Sequence, residues 1–347
     1  MKKPMEKENY VQINKKNHVW KMWLIVLGGL GALVFIMAFS MTKGTENIPL
    51  SSLWDVLFNF NGEEMNHLVI VNLRMPRVIA SALVGASLAV SGAIMQGTTG
   101  NPLADSGLLG LNSGAAFALS ICFALFPGMS YMQIILFSFL GAALGAGLVN
   151  GIASMGKGGQ TPIRLVLSGA AVSTLLVALS QGIALYFNVA QSIMFWTIGG
   201  VAGSTWEQVR IMLPWIIGGL IGAVALSPSI SILSLGQDVA KGLGINIKLV
   251  NALSSIVVLI LVGASVSVVG AVGFVGLIVP HIARFFVGMD YKLIIPSTAV
   301  MGALLVVLAD LVARTLSPPF ETPIGAVISI IGVPLFLNLA RKQRGAM

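Results

Sequence analysis

The chain has 347 residues, of which 20 are Lys or Arg and 12 are Asp or Glu, so 9% carry charge while 56% are hydrophobic. A soluble domain needs roughly a quarter of its residues charged, which excludes a water-soluble enzyme, a disordered chain and a coiled coil. The single cysteine, Cys122, excludes a disulfide framework and any multi-cysteine metal site, and an all-α polytopic membrane protein remains.

Residues 1–21 are polar, with Lys2, Lys3, Lys7, Lys15, Lys16 and Lys21, and are expected to form a cytoplasmic N-terminal segment. The apolar run 22–41 is longer than the ~7–15 residues of a signal-peptide core and reads as a first membrane span. Residues 42–73 are mixed. Within them 51–60 reads as a short amphipathic surface helix, with Leu53, Trp54, Val56, Leu57 and Phe60 as its apolar members. Further apolar runs at 77–96, 107–126, 131–153, 163–187, 207–227, 248–268, 271–288, 293–313 and 323–340 bring the expectation to ten spans. The boundary between the seventh and eighth is marked only by glycines. Residues 22–340 thus form one transmembrane domain, with a coupling segment at 228–247 and a cytoplasmic tail at 341–347.

Ten spans put both termini on one side. With that side inside, fifteen of the basic residues are cytoplasmic, and only Lys43, Arg74, Arg77, Arg210 and Arg314 lie outside. The positive-inside rule therefore places both termini in the cytoplasm, so the +8 net charge reports orientation rather than nucleic-acid binding. Leu83-Val84-Gly85-Ala86-Ser87 recurs as Leu261-Val262-Gly263-Ala264-Ser265, and the match continues at Val90/Val268, Gly92/Gly270, Ala93/Ala271 and Pro102/Pro280. The copies lie five spans apart, so the repeat, over spans 2–5 and 7–10, is expected to be inverted, a transporter architecture. Two GxxxG patterns, Gly141 to Gly145 and Gly218 to Gly222, read first as close packing inside the bundle and second as a dimer face.

Nothing reads as catalytic. His18, His67 and His281 have no ligand neighbours at helical spacing. The stretch Gly156-Lys157-Gly158-Gly159-Gln160-Thr161 lacks phosphate-loop spacing. No cofactor is expected, and ATP hydrolysis would belong to another subunit. Asp310 is the one acidic candidate inside a span; one helical turn from Arg314, it reads as an intrahelical ion pair before it reads as a proton relay.

Three stretches exceed the needs of packing. Leu73-Arg74-Met75-Pro76-Arg77 puts two arginines at the outer mouth of the second span, where they either snorkel to headgroups or receive carboxylates from an external partner. Gly100-Asn101-Pro102-Leu103-Ala104-Asp105-Ser106-Gly107-Leu108-Leu109-Gly110 reads as an inner turn with Asp105 or Ser106 as a helix cap. Leu233-Ser234-Leu235-Gly236-Gln237-Asp238-Val239-Ala240-Lys241-Gly242-Leu243-Gly244 reads as two short cytoplasmic helices broken at glycine, whose apolar face calls for a cover.

These stretches, with Ser91-Gly92-Ala93, Gln96, Gly273-Phe274-Val275-Gly276-Leu277-Ile278-Val279-Pro280-His281-Ile282-Ala283-Arg284 and Ala309-Asp310-Leu311-Val312-Ala313-Arg314, resemble the FecCD family, the permease subunits of ABC importers for iron–siderophores, haem and vitamin B12. The similarity spans residues 70–340. It implies a type II importer permease in the bacterial plasma or inner membrane, working with two ATPase subunits, a substrate-binding protein and a second permease copy or relative, on an iron–siderophore substrate. It also implies that Arg74, Arg77 and Arg314 receive acidic residues of the binding protein. Leu235, Gly236, Asp238, Ala240, Gly242, Leu243 and Gly244 would contact the ATPase. Gln160, Thr161, Pro162 and Ile163 would form an inner gate, and residues 192–200 would approach an outer one. His281 falls in the family's Pro-His motif and is read as a packing residue. The rival readings are a proton-coupled secondary transporter using Asp310, and a non-transporting scaffold for an ATPase.

Overall fold

The computed structural model describes residues 4–44, 47–107, 109–155, 162–317 and 320–344. All its regular elements are helical: α1 (Pro4–Thr42), α2 (Leu50–Phe58), α3 (Met65–Val69), a π-helical segment (Ile70–Arg74), α4 (Met75–Thr99), α5 (Leu111–Leu125), α6 (Tyr131–Ser154), α7 (Pro162–Tyr186), α8 (Ala190–Gly199), α9 (Trp206–Leu233), α10 (Gln237–Gly242), α11 (Ile247–Val269), α12 (Val275–Val287), α13 (Tyr291–Thr315) and α14 (Ile324–Arg344).

Among the described residues seven helices are long and apolar enough to cross a bilayer, where ten spans are expected from the sequence. The runs 107–126, 271–288 and 323–340 instead contain shorter apolar helices, Leu111–Leu125, Val275–Val287 and Ile324–Asn338. At 15 and 13 residues, α5 and α12 reach ~22 and ~20 Å, short of a ~30 Å hydrocarbon core. The missing length is supplied by irregular backbone. Gly110, at the start of α5, packs against Gly145, nine residues before the end of α6; Gly276, at the start of α12, packs against Gly92 deep within α4. Non-helical backbone at such depth survives only inside protein, and Ala104, Asp105, Ser106 and Val272 are indeed buried. The two irregular segments meet: the Asp105 carboxylate accepts the backbone N–H groups of Ser106, Gly107 and Phe274. Asp105 thus caps not its own following helix but the approach to α12, where Phe274 adopts a left-handed φ of 68°.

α4 is the central helix. It packs against α13 over most of its length and also against α9, α11 and α12, while α5, α6 and α7 form a second group and α1 lies along α13. Glycine sets these distances. Gly85 of α4 faces Gly302 of α13, Gly92 faces Gly276, and Gly114 faces Gly141, each so close that a Cβ on one would overlap the other's backbone. In lipid, where helices gain no hydrophobic drive to associate, such contact supplies the attraction. The Gly141–Gly145 pattern therefore packs inside the chain. In the second pattern the packing residues are Gly219 and Gly222, against Leu261 and Val257 of α11, while Gly218 faces open space. α4 and α11 run antiparallel, and the Ser87 hydroxyl donates to the Leu261 carbonyl at 2.8 Å.

The second span begins earlier than residue 77. Helical structure runs from Met65 to Thr99, through a π turn before Pro76. The Met75 N–H bonds back to Ile70, and Pro76 has no N–H, so the Val71 carbonyl loses both helical partners. The Trp206 indole fills it at 2.7 Å, tying the start of α9 to the turn that leads into α4.

Candidate functional site

The three arginines expected on the outside, Arg74, Arg77 and Arg314, come together, and they are buried. Arg77 Nε and Nη2 each lie 2.9 Å from Asp310 Oδ1, and Nη1 lies 2.6 Å from Glu321 Oε1. Arg314 Nη2 lies 3.0 Å from the other Asp310 oxygen, so the expected ion pair along α13 is present but shared, and Arg314 also donates to the Ser40 hydroxyl. Arg74 Nη1 donates to the Met41 carbonyl at 2.6 Å. Four elements therefore build the cluster: the end of α1, the start of α4, the end of α13 and the segment leading into α14. Asp310 is only 1% exposed and Glu321 is 44% exposed. Two buried guanidiniums around one buried carboxylate are tolerated because each charge is paired with an opposite one, although Asp310 Oδ2 and Arg314 Nε make no hydrogen bond.

Arg77, Asp310 and Glu321 also line a cavity of about 500 Å³ whose opposite wall is α8, through Gln191, Met194 and Phe195. The arginine cluster is thus next to the short helix expected near an outer gate.

At the opposite end, α10 follows α9 after three residues, of which Leu235 is exposed and Gly236 takes a φ of 118°. One short helix forms here, not two: of the residues before Gly236, Leu233 ends α9 and Ser234 and Leu235 form a turn. Ala240 is fully buried against Leu233 and Val250 and fixes α10 on the bundle. The other face is apolar and uncovered, with Leu235 67%, Val239 47% and Leu243 62% exposed. Gly244, at a φ of 76°, turns the chain into α11. Asp238 and Gly242 lie in the helix itself, and Asp238 pairs with Lys241 at 3.7 Å.

Of the gate residues, Gln160 and Thr161 fall outside the described residues; Pro162 and Ile163 open α7. The next turn, at Leu165 and Val166, lines a second cavity of about 510 Å³ together with Thr98, Asn101, Ser254 and, from α10, Gln237. Close by, Gln96 joins α4 to α12 by donating to the Gly276 carbonyl at 3.0 Å and accepting from Arg284.

Residues 32–342 match the FecCD transport family. The chain belongs to the FecCD transport family. Among its FecCD relatives, the iron(3+)-hydroxamate import system permease protein FhuB of Bacillus subtilis is 48% identical over 321 residues, 92% of this chain and 84% of the relative. The Fe(3+)-citrate import system permease protein YfmD of the same organism is 41% identical over 90% of this chain and 92% of its own. A solved chain described as a metal-chelate type ABC transporter in an inward-facing conformation superposes with a TM-score of 0.77 at 29% identity, covering 92% of this chain and 99% of that one.

Sequence reasoning missed Glu321, Ser40 and the Met41 carbonyl. Glu321 carried a signal, since it is the single acidic residue after Asp310 and falls on the expected outer side beside the misplaced arginines. Ser40 and the carbonyl carried none.

Proposed function

We propose that this FecCD member is the membrane-spanning permease subunit of a type II ABC importer, moving a ferric siderophore chelate, of hydroxamate type, inward by alternating access. The observation that carries the reading is the 48% identity to a ferric hydroxamate permease over 92% of the chain. The two ends of the bundle support it, with a cationic cluster at one and an uncovered apolar helix at the other. In this reading three shorter apolar helices, α5, α12 and the Ile324–Asn338 part of α14, complete ten crossings with the seven long ones, both termini are cytoplasmic, and the repeat through α4 and α11 is inverted. Two permeases enclose the pathway, two ATPases cover Leu235, Val239 and Leu243, and an external binding protein presents carboxylates to Arg74, Arg77 and Arg314. Closure of the ATPases would move α10 and, through the cavity it shares with α7, the inner gate. α8 would respond at the outer one. A ligand held equally well in both states drives no change, so the pathway needs no tight substrate site.

The geometry disfavours proton coupling through Asp310, whose carboxylate is ion-paired with both Arg77 and Arg314. The test is uptake of a radio-iron-labelled ferric hydroxamate into vesicles holding the assembled transporter. Uptake that requires internal ATP and external binding protein is expected. Uptake abolished by collapsing a proton gradient but indifferent to ATP would overturn the reading, and preference for ferric citrate or haem would overturn the substrate class alone.

A further inference from the structure

Arg77 has two carboxylate partners, and they are not equivalent. Asp310 is buried, is shared with Arg314 and balances the cluster from within. Glu321 is nearly half exposed and touches only the outward Nη1 edge of a guanidinium that Asp310 already pairs. Its backbone is held on both sides, by Phe320 N–H to the Ser317 carbonyl at 2.9 Å and Thr322 N–H to the Ala313 carbonyl at 3.2 Å. The side chain can therefore leave Arg77 for water without the segment moving. The cavity of about 500 Å³ beside it leaves room for another group to reach the same edge.

We propose that Glu321 is a built-in, exchangeable occupant of the docking site: in the undocked permease it holds the edge of Arg77 that a carboxylate of the external binding protein takes on docking. This rests on the docking role given to Arg77 above. Exchanging one carboxylate for another keeps the charge of the cluster constant, so the Asp310 pairs stay intact while the partner changes. A half-exposed ion pair contributes little in water, so the displacement costs little, yet every docking event must compete with it. Glu321 thereby sets the affinity of docking below what Arg77 alone would give, which suits a partner that must also leave.

The experiment measures the affinity of the cognate binding protein, loaded with a ferric hydroxamate, for the complete transporter in lipid nanodiscs. Glu321→Gln is expected to tighten binding about 1.5- to 5-fold, the scale of a partly exposed ion pair. The gain should vanish in the Arg77→Gln background, which separates exchange at Arg77 from a general loss of negative charge. Glu321→Ala reports the same quantity should the amide disturb the loop. Unchanged or weaker binding by both Glu321 variants, with Arg77→Gln still weakening the wild type, would overturn the exchange and leave the docking role standing. If Arg77→Gln has no effect on the wild type, the docking role falls and the exchange with it.

Discussion

The two ends of the bundle offer partners opposite surfaces. At the outer end the strong interactions are already made inside the chain, with Asp310 shared by Arg77 and Arg314 and almost nothing of it exposed. At the inner end the chain leaves its interactions unmade, for Val239 projects from a helix held down by Ala240 alone among its buried residues, and Leu235 and Leu243 project from the turns on either side of it. The difference teaches what each contact is for. An uncovered apolar face gains by staying covered, which suits an ATPase that remains bound through the cycle. A charged site that is satisfied without its partner suits one that comes and goes, since electrostatic complementarity governs encounter more than residence.

The largest effect that should break this comparison is at Asp310. Asp310→Ala leaves two buried guanidiniums without their shared partner, which costs about 3–5 kcal/mol. The expected outcome is loss of monodisperse permease in size-exclusion chromatography of detergent extracts. A stable, fully assembled variant would show that the outer cluster does not hold the fold. Charge reversal at Arg77 is less informative than it first looks, because a new carboxylate would face Asp310 and Glu321; the neutral Arg77→Gln, which leaves Asp310 paired with Arg314, separates docking from folding.

A smaller effect sharpens the inner end. Leu235→Ser with Leu243→Ser removes exposed apolar surface, so the permease should melt at an unchanged temperature, while the loss of roughly 1.5–3 kcal/mol per buried leucine weakens its hold on the ATPase at least tenfold. Co-purification of tagged ATPase reads this directly, and undiminished recovery would move the coupling contact elsewhere. Salt gives the smallest effect and contrasts the two ends in one titration. Raising ionic strength from ~0.1 to ~1 M shortens the screening length from ~10 to ~3 Å. Binding-protein docking should weaken several-fold, while ATPase association should hold or strengthen.

Much of this was legible in the sequence. The long helices were, because an uninterrupted apolar stretch of span length has few other fates. The shorter helices were not, since composition does not report depth: Gly110, just ahead of α5, read as part of a turn, and only its packing against Gly145 shows it inside the bundle. The outer arginines stood out because they break the charge bias, which is a property of the chain taken alone. Their partners did not, because they depend on which distant segments meet. Arg77 reaches Glu321 across 244 residues and Arg314 reaches Ser40 across 274. Around α10, the flanking exposed leucines were visible as a pattern, whereas the part of Ala240 as anchor appeared only with the fold.

The central claim is that a partner arriving at the outer arginines is felt by the ATPases at α10. It is tested most directly by the ratio of ATP hydrolysis with and without the loaded binding protein, measured on the reconstituted transporter for the wild type and for Arg77→Gln. The account predicts a ratio well above one for the wild type and close to one for the variant; equal stimulation of both would contradict it.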